Sequence, residues 1–407
     1  MAETITLIRA GRQHLMDMGA REGICPSPFS PLADPGMAAK ADATDTPASS
    51  AASVPTSAAS SAQTPLPVDA AQLALLREAL AVMAAPDMKF VLRTGGGSAP
   101  MQAQTVCLVE NRKPVGLLLS GADAFVFLYE DENAVLDAMV GHHASRVQTP
   151  AINLIPPLTD PEVFLCLLHA IDMYRRSYYV SLLACLPQSQ AGVALVSFER
   201  DMARVLKARD VRWLLGAFVA LMPNLPLGES KADPVRALVD AGLCRILKDM
   251  EGKPWLTFTD EGRALGVEFE RTWMTGVGYG LHAWVGGQPV VVGYGFVAPT
   301  ALTNHVVTMV DDNGVLRINH QAFYADQLKT LWHELMASGW RQVRSGVPQP
   351  APMAAPMAAP MAAPQPRRQE TEPVPASSQG RTAFCMQCGK PLDAGDRFCN
   401  HCGAPVA

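Results

Sequence analysis

The order of apolar and polar positions divides the chain into two stretches of strand periodicity, each closed by a helix, with a helical stretch between them. Residues 68–85, VDAAQLALLREALAVMAA, carry apolar side chains at helical spacing and stop at Pro86. Four strand-like runs follow: KFVLRTG, QTVCLVE, PVGLLLSG and AFVFLYE, separated by Gly-rich, Asn-Arg-Lys-Pro and Gly-Ala-Asp turns. ENAVLDAMVGHHA then returns to helical period. The second stretch runs GYGLHAWVG, PVVVGYGFVA, HVVTMVD and VLRIN, with Asp312-Asn313-Gly314 as a tight hairpin turn before the last strand. The helix AFYADQLKTLWHELMAS closes it. The shared order of four antiparallel strands and a helix points to an internal duplication, although few residues are identical between the halves.

Helix is expected between the two stretches. Asp160 and Pro161 make a good N-cap and first helical position. The helix predicted over 161–186 is apolar on most faces, which places it centrally. Further helices are expected from about 197 to 209 and over 211–222. In DPVRALVDAGLCRILKDMEGKPWLTFTDEGRALG (233–266), Pro234 starts a helix and Gly242 ends it. Leu243 to Lys248 and Trp255 to Thr259 read as two strands, and Thr259-Asp260-Glu261-Gly262 starts the next helix. This segment resembles the last helix and wing of a winged helix. Its helix carries Arg236 as its single base against Asp233 and Asp240, whereas a groove-reading helix brings several Lys or Arg. A structural or partner-binding role is therefore expected of it.

Composition changes this picture at the ends. The chain has 407 residues, 33 of them proline. The segments 26–67 and 345–380 are rich in Pro, Ala, Ser and Thr and lack the large apolar side chains that offset chain entropy. The expected organisation is a short N-terminal segment (1–25), a disordered linker (26–67), a first α/β unit (68–150), a helical centre (151–232), a winged-helix-like element with the second α/β unit (233–344), a Pro/Ala/Met-rich linker (345–380) and a C-terminal module (381–407). Three PMAA units, Pro352–Ala363, favour extended chain in the second linker, so the module is expected to be tethered. A net charge of −5 argues against a protein that coats nucleic acid or an anionic membrane. The N-terminus has no signal-peptide apolar core, and VRWLLGAFVALM at 211–222 falls short of the roughly 20 residues a membrane helix needs. A soluble, cytoplasmic protein is expected.

The cysteines carry the clearest chemistry. Cys107, Cys166, Cys185 and Cys244 sit in apolar contexts, as small buried thiols do, while Cys25 precedes a Pro/Ser run. Cys385, Cys388, Cys399 and Cys402 form C-x2-C-x10-C-x2-C, and a glycine, Gly389 or Gly403, follows each pair. In a reducing compartment this arrangement means metal rather than disulfides. Two such knuckles present four thiolates at tetrahedral corners, a closed structural site for one Zn²⁺. The ten residues between them, GKPLDAGDRF, suffice for a small hairpin, and Phe384, Leu392 and Phe398 are available to cover the metal. So small a unit cannot build a core, so the metal supplies its folding free energy. His401 is a less well placed ligand than the four cysteines. FCMQCGKPLDAGDRFCNHCG resembles the short bacterial zinc-ribbon family over about 23 residues. The resemblance implies a structural metal in an attachment or recognition module, with the partner left open.

Other motifs receive plainer readings. Thr94-Gly95-Gly96-Gly97-Ser98 lacks a following Gly-Lys-Ser/Thr and reads as a hairpin loop. Gly276, Gly278, Gly280, Gly293 and Gly295 fall within strands, where bulges or close backbone packing are expected. Tyr174-Arg175-Arg176-Ser177-Tyr178-Tyr179 is the best basic-aromatic cluster: Asp172 can pair with the arginines within the helix, and Arg175, Arg176, Tyr178 and Tyr179 are the candidate partner-binding residues. No nucleophile–base signature and no paired-carboxylate motif is found.

The expected fold class is α+β: two antiparallel meander-plus-helix units around a helical, winged-helix-like centre, with a tethered C-terminal zinc ribbon. The expected function is a non-enzymatic adaptor that engages a protein partner, with no specific nucleic acid. A transcription-associated DNA-binding protein is one alternative. The architecture, not the residues, is also similar to type VII secretion chaperones, which pair two related α/β halves; a secretion chaperone is the other alternative.

Overall fold

A computed structural model describes residues 5–34, 70–96, 99–146, 155, 158–183, 185, 192–222, 225, 233–269, 276–348, 383–384 and 391–392. The chain divides into two compact units, 1–355 and 356–407. The first is α+β. Its elements run β1 (Thr6–Gly11), α1 (Arg12–Arg21), α2 (Ala70–Ala84), β2 (Met88–Gly96), β3 (Ala99–Leu108), β4 (Val115–Ser120), β5 (Asp123–Leu128) and α3 (Glu132–His143). They continue with β6 (Leu158–Thr159), α4 (Pro161–Leu183), β7 (Gly192–Ala194), α5 (Leu195–Ala208), α6 (Leu214–Leu221), α7 (Pro234–Asp240), β8 (Cys244–Lys248), β9 (Pro254–Phe258) and α8 (Asp260–Glu268). The second meander is β10 (Gly276–Val285), β11 (Gln288–Pro299), β12 (Asn304–Asp312) and β13 (Val315–Phe323), closed by α9 (Ala325–Ser345).

The two meanders share one ten-stranded sheet, in the order β1-β5-β4-β3-β2-β10-β11-β12-β13-β6. They meet through their first strands, with β2 antiparallel to β10. Val91 faces Gly280 across the seam, flanked by the pairs Phe90–Leu281 and Leu92–Tyr279. Shifting the first half onto the second by hairpin position carries Val91 to Gly280, Phe90 to Tyr279 and Leu92 to Leu281. The seam therefore has the register of a pseudo-two-fold axis. The edge strands repeat the pattern: β1 pairs with β5 and β6 with β13, and a helix follows each.

Period-2 alternation assigns the faces. Met88, Phe90, Leu92, Val277, Tyr279 and Leu281 pack beneath α3 and α9, with Trp332 and Met336 at the centre of that layer. On the opposite face α1 and α2 cover β1, β3, β4 and β5. Helices α4 to α8 cover Phe296, Ala298, Val307 and Ile318 of the second meander. Helix α4 is buried on most sides as far as Arg175, as its apolar faces predict, and its last turns are half-buried or exposed.

Local chemistry sets the element ends. Asp131 accepts from Ala134 N at 2.8 Å and Asp160 from Glu162 N at 3.0 Å, capping α3 and α4. Thr259 caps α8 through Gly262 N at 3.1 Å. Gly262 is obligatory there, since a β-carbon would lie 2.1 Å from the Leu243 carbonyl oxygen.

Three expectations need correction. Residues 1–25 are not a separate segment, because β1 adds an edge strand to the sheet. The linker does not begin at 26: Phe29 and Leu32 are buried, and Ser30 caps a 3₁₀ turn at Pro31–Ala33 and donates to Met83 O at 2.7 Å. Two apolar side chains anchor this stretch despite its Pro/Ser composition. Cys185 is exposed, while Cys107, Cys166 and Cys244 are buried as expected.

Candidate functional site

In the second unit, β14 (Ala383–Phe384) pairs antiparallel with β15 (Pro391–Leu392), in the register Ala383–Leu392 and Phe384–Pro391. Cys385, Cys388, Cys399, Cys402 and His401 lie outside the described residues. The ladder flanks 385–390, the stretch that holds the first Cys pair, and most of the 389–398 stretch expected to form a hairpin lies outside the described residues. The four-thiol donor set and this ladder fit a zinc ion. Among the described residues, no group of three or more His, Cys, Asp or Glu is placed to hold a metal.

Residues 384–406 match the zinc-ribbon domain family. This segment is a zinc-binding module. No curated protein is significantly similar to the chain. No helix among the described residues is long and apolar enough to cross a membrane.

The basic-aromatic cluster on α4 divides. Arg175 is 1% exposed and lies 3.1 Å from Asp172, so it cannot face a partner. Asp172 also accepts from Leu214 N at 3.0 Å and Leu215 N at 2.9 Å, so it caps α6 from a neighbouring helix. Burial pushes its carboxyl up to about 6, against the opposing pull of Arg175 and the two amides. The pairing expected within the helix holds for Arg175; Arg176 instead lies 3.7 Å from Asp201 of α5 and is exposed. Tyr178 and Tyr179 are half-buried, with ring centroids 5.7 Å apart. Val180, Leu182 and Leu183 beside them are exposed.

One polar cluster was not legible in the motifs. His305 Nε2 lies 2.7 Å from Glu268 Oε1, and His305 Nδ1 lies 2.8 Å from His320 Nε2. Thr300 donates to the same glutamate oxygen at 3.1 Å. All four residues are buried. Burial and the neighbouring His305 hold His320 well below the usual imidazole range, with the Ile155 backbone opposing, so that ring is neutral. The groups form a chain and do not converge on one point, and they tie the end of α8 to β12 and β13. The signal available was periodicity: His305 and His320 occupy core-facing positions of apolar strands.

Proposed function

We propose that the protein is a non-enzymatic interaction protein whose C-terminal ribbon holds one structural Zn²⁺ and engages a protein partner. Cys385, Cys388, Cys399 and Cys402 are the ligands. The observation that carries this reading is the family match over 384–406 together with the short ladder at its start. The bound ion supplies the folding free energy that a unit of this size cannot draw from a core. The thiolates fill all four positions and leave none for water, which makes the role structural. The five other cysteines are free thiols, which supports a reducing, cytoplasmic setting. The Pro/Ala/Met-rich segment 345–380 gives the module reach as a tether.

Recovery of bound proteins with the full chain, with a chain ending at 380, and with the Cys385→Ser/Cys388→Ser variant tests the proposal. A partner retained by the full chain and lost from both others is the expected result. An identical set from all three contradicts it.

The winged-helix-like reading of 233–266 is supported by the antiparallel sheet order β7-β9-β8 beside α7. Within it Arg236 pairs with Asp240 at 2.9 Å and Asp233 caps the helix, which favours a partner-binding role over duplex reading. The expected duplex affinity is therefore no tighter than the non-specific range of ~10⁻⁴–10⁻⁶ M. Sequence-dependent, submicromolar binding in fluorescence anisotropy would reverse that preference. The pseudo-two-fold relation of the halves favours the secretion-chaperone alternative as a second reading. Co-purification of a secreted client with 1–355 alone would promote it.

A further inference from the structure

The helices α2 and α4–α8 share one face of the sheet, and α6 packs onto the central strands β2 and β10, leaving a cleft beside its end. There the register sets out a grid. Lys89, Val91 and Arg93 of β2 stand opposite His282, Gly280 and Gly278 of β10. Across from these on β11 are Val291, Tyr294 and Phe296. Gly280 is the centre of the grid, and its missing side chain leaves a hollow on the pseudo-two-fold axis. A cleft of about 220 Å³ opens at this point, lined by Val91, Arg93, Leu221, His282, Val291 and Tyr294, among others.

The glycines of β10 do different work. A β-carbon at Gly278 would lie 2.6 Å from the Leu221 carbonyl oxygen, so that glycine seats the end of α6. At Gly280 a β-carbon would meet the edge of the His282 ring at 3.3 Å and little else within 3.9 Å. At the second position the nearest atoms belong to side chains, not to backbone.

Val91, Leu221, Met222 and Val291 give the lining its aliphatic part, and three strands each contribute one polar side chain: Arg93 from β2, His282 from β10 and Tyr294 from β11. Arg93 is exposed and makes no ion pair among the described residues. The His282 ring and the Tyr294 hydroxyl likewise have no hydrogen-bond partner there. Lys89 is held over the Phe29 ring at 4.5 Å, at the edge of the grid. Burial first, then Lys89 and Arg93, hold His282 below the usual imidazole range, and no carboxylate opposes them.

We propose that this cleft binds a small amphipathic carboxylate. Its tail lies against Val91, Leu221 and Val291, and its carboxylate takes the Arg93 guanidinium, the Tyr294 hydroxyl and the His282 ring N–H. The planar guanidinium suits a carboxylate, and the aliphatic walls disfavour a free phosphate. The space equals about seven waters at ~30 Å³ each, below the usual size of drug-like sites, so the ligand is small. This inference is independent of the ribbon.

Calorimetric titration of the full chain with octanoate, 1-octanol and inorganic phosphate tests it, on the unmodified protein and on Arg93→Met and Gly280→Val. Octanoate is expected to bind once per chain. Arg93→Met weakens octanoate by about tenfold or more, as loss of a charge-assisted hydrogen bond requires, and leaves octanol unchanged. Gly280→Val fills the hollow and removes both. Absence of octanoate binding, phosphate binding in its place, or equal octanoate affinity in Arg93→Met overturns the proposal. Arg93 is exposed, so its variant retains the fold, as a melting curve verifies. If Gly280→Val unfolds, the Arg93 comparison decides alone.

Discussion

Two glycines on the same face of β10 should respond oppositely to one methyl group. At Gly278 the new β-carbon would lie 2.6 Å from Leu221 O and 2.9 Å from Leu221 Cβ. The obstacle is backbone, at the end of a helix whose residues Leu214 to Val219 are all buried, so relief requires α6 to move. Overpacking of this kind costs about 1–3 kcal/mol. Replacing a strand glycine returns about 0.5–1 kcal/mol of unfolded-chain entropy, leaving a net loss of up to about 2.5 kcal/mol. At Gly280 the same entropy gain meets only a movable imidazole edge, so Gly280→Ala should be neutral or stabilising by up to about 1 kcal/mol. A change of 1 kcal/mol moves the melting point of a domain this large by about 2–4 °C. Thermal denaturation followed by circular dichroism should place Gly278→Ala several degrees below the unmodified protein and Gly280→Ala at or above it. Equal melting points for the two variants would refute the seating of α6 on β10.

Removing the Asp172 carboxylate by Asp172→Ala takes the ion-pair partner from a buried Arg175 and the acceptor from the amides of Leu214 and Leu215; urea unfolding should show a loss of about 3–5 kcal/mol. A loss below about 1 kcal/mol would mean the pair behaves as a surface bridge. His169 donates to Phe198 O at 3.0 Å, and burial lowers its pKa to about 4. The unfolded ring takes a proton near pH 6.5 and the folded ring resists until about 4, so its contribution is complete above 6.5 and is lost as pH falls to 4, about 3 kcal/mol in all. Asp172 acts in the opposite sense, protonating in the fold first as pH falls through about 6. The His169→Gln variant should therefore lose less stability between pH 6.5 and 4 than the unmodified chain; an identical pH profile would contradict this.

The eight meander strands were legible because their alternation is regular and their turns carry Gly, Asn, Asp and Pro. The joining of the meanders into one sheet was not. Pairing of β2 with β10 links positions about 190 residues apart, and no local pattern encodes a seam at that distance. The edge strand β6 has two residues, too few for any periodicity to register. Phe29 and Leu32 were hidden by the prolines around them. Arg175 reads as a surface cation because its aspartate lies one turn away on the same helix, and only the arrival of α6 encloses the pair. The ribbon shows the converse: its cysteine spacing and the glycine after each pair identify the module from the sequence without help from the fold. The glycines of β10 were read as sites of bulges or close backbone packing; Gly278 meets backbone of α6, whereas Gly280 meets the edge of a side-chain ring.

The metal content of the purified full chain, prepared under reducing, chelator-free conditions and measured by plasma mass spectrometry, tests the central claim most directly. The account predicts one zinc per chain in the unmodified protein and its loss in the Cys385→Ser/Cys388→Ser variant. Zinc near zero in the unmodified chain, or unchanged zinc in the double variant, would contradict it.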